Sequence, residues 1–199
     1  MTRPCAIVDT SFLIYSSQIK TAHLLRGLSL IFEYLLIPQE VIREFTPTKN
    51  LPENQVRYKI LSRLDPNQGF YRICPAIDYL VFDLLKTVPH VDPGEAEAIA
   101  QARKRQVMCI FTDDKKILKH LPEQFNDLRF YSTLTVVALL DLQQQLSDYH
   151  KCVEEVYMLR KFTSKEFRKA YLQAASHLGI GLTKKRISEK TSLTKLGLK

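Results

Sequence analysis

Apolar residues along this chain follow two spacings in turn. Ala6-Ile7-Val8, Leu35-Leu36-Ile37 and Val107-Met108-Cys109-Ile110-Phe111 are short uninterrupted runs, as expected of parallel strands buried on both faces. Leu128-Arg129-Phe130-Tyr131 predicts a further strand, and the weak alternation of Phe70 to Cys74 predicts an edge strand. Helical periodicity covers Phe12 to Ser17, and Thr21 to Tyr34 with Leu24, Leu25, Leu28 and Phe32 on one face. It returns in Gln39 to Phe45 behind Pro38, Glu53 to Leu64, Asp78 to Thr87, Glu95 to Arg105, Lys115 to His120 and Leu134 to Gln145. Thr46 to Pro52 and Asp65-Pro66-Asn67-Gln68-Gly69 are turns by composition. Strands alternating with helices predict an α/β domain whose parallel sheet is covered on both faces.

The pattern changes after Asp148, where Val153 to Phe162 and Glu166 to Leu178 predict helices and no strand follows. The expected division is a domain over 1–148 and a basic helical C-terminal extension over 149–199, its end from Thr183 onward loosely ordered. From His150 to Lys199 there are twelve Lys and Arg against four Asp and Glu, a difference of eight that equals the net charge of the whole chain. Such asymmetry is read either as a nucleic-acid contact or as a solvated helical end. The four cysteines form no C-x-x-C pair and no zinc pattern, which predicts buried free thiols. No signal-peptide core or membrane-length apolar run stands out, so a cytoplasmic protein without membrane contact is expected.

Chemistry concentrates where strands end. Asp9 directly follows the first apolar run, and Asp113-Asp114 follow Phe111-Thr112. In an open α/β sheet, ligands gather outside the carboxyl ends of the strands. Thr10 and Ser11 can cap the helix behind Asp9, and Asp9 itself has the plain alternative of a turn acid or cap. Glu95 and Glu97 open the helix after Asp92-Pro93-Gly94, and Glu44 lies two turns beyond Pro38. Crowded carboxylates stay ionised only when a cation offsets their repulsion, and an all-oxygen set selects Mg²⁺ or Mn²⁺.

In order and spacing, four segments resemble the PIN domain nucleases, including VapC-type toxin ribonucleases and stand-alone prokaryotic PIN proteins. They are Ile7-Val8-Asp9-Thr10-Ser11, Ile37-Pro38-Gln39-Glu40-Val41-Ile42-Arg43-Glu44, Asp92-Pro93-Gly94-Glu95-Ala96-Glu97-Ala98-Ile99-Ala100 and Phe111-Thr112-Asp113-Asp114. Tyr131-Ser132-Thr133-Leu134 also looks like that family's last strand-to-helix turn. The resemblance implies a three-layer α/β/α fold and a Mg²⁺- or Mn²⁺-dependent endoribonuclease that leaves 5′-phosphate and 3′-hydroxyl ends. The family's acids map onto Asp9, Glu44, Glu95 and Asp114, with Asp113 as helper to Asp114 and Glu97 as alternative to Glu95. Ser11 and Thr112 fall where the family places hydroxyls near water or phosphate, and Arg43, Lys115 and Lys116 flank the acids as substrate-positioning cations. Expected partners are RNA, a cognate antitoxin if the protein is a toxin, and a second copy in a homodimer. A PIN-like scaffold that binds RNA or protein without cutting is the alternative. A haloacid-dehalogenase-like phosphatase needs Asp-x-Asp where this chain has Asp9-Thr10-Ser11, and a response-regulator receiver needs an acidic pair that is missing there.

Overall fold

The computed structural model describes residues 3–19, 24–47, 54–64, 68–74, 79–114, 116–117, 121, 123–146, 148–194 and 196–198. Five strands form one parallel sheet: β1 (Ala6–Val8), β2 (Leu35–Ile37), β3 (Tyr71–Ile73), β4 (Cys109–Phe111) and β5 (Arg129–Tyr131). Their spatial order is β3-β2-β1-β4-β5, with Ile7 opposite Leu36 on one side and Ile110 on the other. The weakly alternating segment is thus an edge strand, and the strand order reverses between β1 and β4, running outward to β3 on one side and to β5 on the other. That reversal leaves a crevice at the carboxyl end of β1.

Alternation along each strand sends neighbouring side chains to opposite faces. Ala6, Val8, Leu35, Ile37, Cys109 and Phe111 join one buried cluster, and Ile7, Leu36 and Ile110 join the other. The second face is covered by α5 (Tyr79–Lys86) and the alanine-rich α6 (Pro93–Arg105), through Leu85, Ala96, Ile99 and Ala102. The first is covered by α1 (Thr10–Gln18), α2 (Leu24–Ile31) and α7 (Thr133–Leu142). The short helices α3 (Gln39–Phe45) and α4 (Gln55–Leu61) follow β2 and border this face through Val41, Phe45 and Ile60. The architecture is three-layer α/β/α. The expected helix over Lys115 to His120 lies largely outside the described residues.

The C-terminal helices α8 (Tyr149–Leu159), α9 (Ser164–Leu178) and α10 (Lys184–Thr191) share the first cluster through Cys152, Val156, Phe167, Tyr171, Ala174 and Ile187. The helix α9 packs along α7, starts in a Thr163–Glu166 capping box and ends at Gly179, whose φ of 66° suits glycine. The segment expected to be loosely ordered contains α10, tied to the core by a 2.9 Å Lys190–Asp141 ion pair and a 2.6 Å hydrogen bond from Tyr149 to the Lys190 carbonyl. Among the described residues the cysteines are free, and no helix is long and apolar enough to cross a membrane.

Candidate metal centre

The first strand delivers Asp9 into the crevice, 3% exposed. Asp9, not Thr10 or Ser11, is the N-cap of α1: its side chain accepts from the Ser11 N–H at 3.2 Å. Capping suits an aspartate whose backbone is still extended. The same oxygen, Oδ2, accepts from the Ser11 hydroxyl at 2.6 Å and from the Thr112 hydroxyl at 2.9 Å. Each hydroxyl in turn accepts from the loop after β4: Asp113 N–H donates to Ser11 Oγ at 2.9 Å, and Asp114 N–H to Thr112 Oγ1 at 3.1 Å. The loops after β1 and β4 are therefore joined through one carboxylate oxygen. Burial pushes the Asp9 carboxyl up to about 6, against the stabilising Ser11 and Thr112 hydroxyls and with help from the charge of Asp92.

The opposite wall is the start of α6. Asp92 and Glu95 form a reciprocal capping box, Glu95 N–H donating to Asp92 Oδ1 at 2.8 Å and Asp92 N–H to Glu95 Oε2 at 3.2 Å. Glu95 is 2% exposed, and its other oxygen, Oε1, is buried without a hydrogen-bond partner. Burial first, then Asp92, and further Asp9 and Asp114, push this carboxyl up to about 8; the Asp92 N–H opposes them. The carboxylate of Glu44 arrives from α3, accepts a bond from the Thr10 hydroxyl and lies over Gly94. A Cβ at position 94 would stand 2.8 Å from Glu44 Oε2, so glycine there is what lets the two helices bring this acid in.

The other acids face elsewhere. Glu97 Oε2 accepts from the Glu40 N–H at 2.6 Å, which caps α3, whose own N-cap is Pro38 without a side-chain acceptor. The carboxylate of Asp113 is bonded by the Thr133 N–H and hydroxyl and by the Arg160 guanidinium. Its side chain is 1% exposed and that of Arg160 16%. Among the flanking cations, Arg43 is exposed and pairs with Glu40 at 2.9 Å, Lys116 is exposed, and Lys115 lies outside the described residues. Two participants escaped the sequence reading. Asp92 was visible as the start of an Asp-Pro-Gly-Glu cap, but its charge on Asp9 and Glu95 depends on how the crevice closes. Arg160 is 47 residues from Asp113, and no local pattern announces it.

Asp9, Glu44, Glu95 and Asp114, with Asp92, make an all-oxygen set of the kind that suits a hard divalent cation. Among the described residues no group of three acids, histidines or cysteines is drawn together closely enough to hold a metal ion. The observation that favours a cation there is the orphaned Glu95 oxygen, a buried acceptor left without a partner.

No curated protein and no solved structure matches the chain. A family model described as a PIN domain matches residues 5–177, which takes in the sheet, the acid cluster and helices α8 and α9. With the parallel β3-β2-β1-β4-β5 sheet and its acids at the β1 switch point, the chain belongs to the PIN domain family, whose members are generally nucleases.

Proposed function

We propose that the protein is a Mg²⁺- or Mn²⁺-dependent endoribonuclease acting in the cytoplasm. What carries this reading is the buried, unpartnered Glu95 Oε1 beside acids that raise its proton affinity. Such a group is costly to keep unless something occupies the site.

In this reading Asp9, Glu95 and Asp114 hold the cation and Glu44 completes the acidic wall. A bound Mg²⁺ or Mn²⁺ would supply Lewis acidity to a phosphate oxygen and lower the pKa of a water. The chain's own groups do the rest. Ser11 and Thr112 fix the orientation of Asp9 by donating to one of its oxygens. Arg160 and Thr133 hold Asp113, and with it the loop that carries Asp114. In the metal-free protein the Glu95 carboxyl, pushed up to about 8 by burial and by Asp92, favours its protonated form near pH 7, and a bound cation would oppose that. The basic C-terminal helices favour a polyanionic substrate near an otherwise acidic crevice.

The test is cleavage of a labelled single-stranded RNA with Mg²⁺ or Mn²⁺, beside EDTA and an Asp9→Asn variant. Asparagine is also a good helix cap, so that variant keeps the local fold. Cutting lost in both controls, with 5′-phosphate products, supports the reading. Binding without cutting, across several RNAs and both metals, would leave the RNA-binding scaffold instead. A toxin role within this reading would show as growth arrest on expression, relieved by a co-expressed small partner.

A further inference from the structure

A groove of about 330 Å³ opens beside the acids and runs between the β5–α7 junction and helix α9. Thr112 and Asp114 line it from the loop after β4, and Lys169 and Gln173 line it from α9. Phe130, Leu134 and Ala170 are its apolar residues, and the other nine lining residues are polar or charged, among them Asp113, Asp114 and Glu166. The volume falls in the range of small-molecule sites, and the polar residues outnumber the apolar ones.

Two side chains are held in readiness. Gln173 is half-buried, and its amide is locked: Nε2 donates to the Phe130 carbonyl at 2.7 Å, and Oε1 accepts from the Thr135 hydroxyl at 3.1 Å. A primary amide has two N–H groups and two lone pairs, so each end keeps one over. A fixed donor next to a fixed acceptor is what reads the edge of a base. Arg160 also lines the groove; it spends one nitrogen on Asp113 and carries further N–H groups. Lys169 stands exposed beside it. Glu166, also at this rim, is engaged in the capping box of α9.

We propose that this groove is a nucleotide subsite. It takes the base next to the scissile phosphate, with the Gln173 amide on the base edge, Phe130 as apolar wall, and Arg160 and Lys169 toward the backbone phosphate. The assignment rests on the nuclease reading for where the scissile phosphate lies. It makes Gln173, contributed by the C-terminal helices, a specificity-determining residue of a site whose acids come from the N-terminal two-thirds of the chain.

Two measurements test it. The first is titration of isotopically labelled wild-type protein in EDTA with each nucleoside 5′-monophosphate and with ribose 5-phosphate, following the Gln173 side-chain amide by NMR. Shifts at that amide that depend on the base support the subsite. No shift, or the same shift with ribose 5-phosphate, overturns it. The second compares wild type, Gln173→Ala and Lys169→Ala on a pool of single-stranded RNAs randomised around the cut. Gln173→Ala should raise KM about tenfold and flatten the base preference beside the cut, with kcat within about twofold. Lys169→Ala, at an exposed position that leaves the fold intact, should raise KM about threefold for all sequences alike. An active wild type whose KM and preference are unmoved by Gln173→Ala would overturn the subsite and leave the nuclease reading standing. A wild type that cuts nothing sinks the nuclease reading, and the amide titration still decides whether the groove takes a base.

Discussion

Neutralising Glu95 should make the metal-free protein more stable. The carboxyl stands at about 8 in the fold against an ordinary 4.5. A folded-state pKa above the unfolded one means stability that is complete below about pH 4.5 and is lost as pH rises through about 8. Integrating that linkage to pH 7 gives an upper figure of about 3 kcal/mol withheld from the wild type, less where water relaxes around the charge. Glu95→Gln removes the titration and keeps an oxygen to accept from Asp92 N–H. In EDTA at pH 7 to 8 its Tm should exceed that of wild type, each kcal/mol being worth about 2–4 °C in a chain of this size. Thermal unfolding of both proteins from pH 4 to 9, with and without Mg²⁺, measures the effect. The two curves should meet near pH 4 and diverge upward, while saturating Mg²⁺ should stabilise wild type by about 2–3 kcal/mol at a hundredfold excess over Kd and the variant much less. A Glu95→Gln protein that is less stable than wild type at pH 8 in EDTA, or that follows the same pH slope, would refute the account of a strained acid awaiting a cation.

Three further outcomes follow from named contacts. Arg160→Met leaves the buried Asp113 without its counter-charge and should cost about 3 kcal/mol in urea unfolding. Adding Asp113→Asn should restore most of that loss, and an unchanged double variant would mean that the pair does not share one interaction. Gly94→Ala puts a Cβ 2.8 Å from the Glu44 carboxylate, so RNA cleavage should fall about tenfold while Tm stays near wild type, since alanine is the better helix former. Equal activity would mean Glu44 has no part in the site. Thr112→Val deletes one of the hydroxyl donors that hold the Asp9 carboxyl down. The acidic limb of the pH–rate profile should then move up by about one unit, and an unmoved limb would detach Asp9 from the rate.

Local chemistry made most of the fold, and the placing of the candidate acids Asp9 and Glu95, legible in the sequence. The run Ala6-Ile7-Val8 before an acid, and Asp92-Pro93-Gly94-Glu95 before an alanine-rich helix, each specify an element and its candidate side chain within a few residues. Periodicity also showed that Glu166 to Leu178 is a helix, but it could not show that Phe167, Tyr171 and Ala174 pack into the same core as Val8 and Phe111. That packing turns a basic extension into a wall of the crevice. The roles of Glu97 and Asp113 were unreadable for the same reason. Each is chosen by a partner far along the chain, the Glu40 N–H and the Arg160 guanidinium, and only the closed fold decides which acids of a crowded set face the crevice and which face a donor.

In the proposed metal site, the paired hydrogen bonds onto Asp9 Oδ2 would bear on cation choice. With Ser11 and Thr112 both donating to one oxygen, rotation of the carboxylate would break both bonds, which leaves Oδ1 to point in a single direction. A carboxylate so pinned offers one oxygen at a fixed angle and resists the two-oxygen chelation that larger ions favour. Ca²⁺, which takes six to eight oxygens and tolerates irregular shells, gains little from such a ligand, whereas a small ion with octahedral demands gains a preset vertex. Discrimination between cations of equal charge would then reside in two uncharged hydroxyl groups.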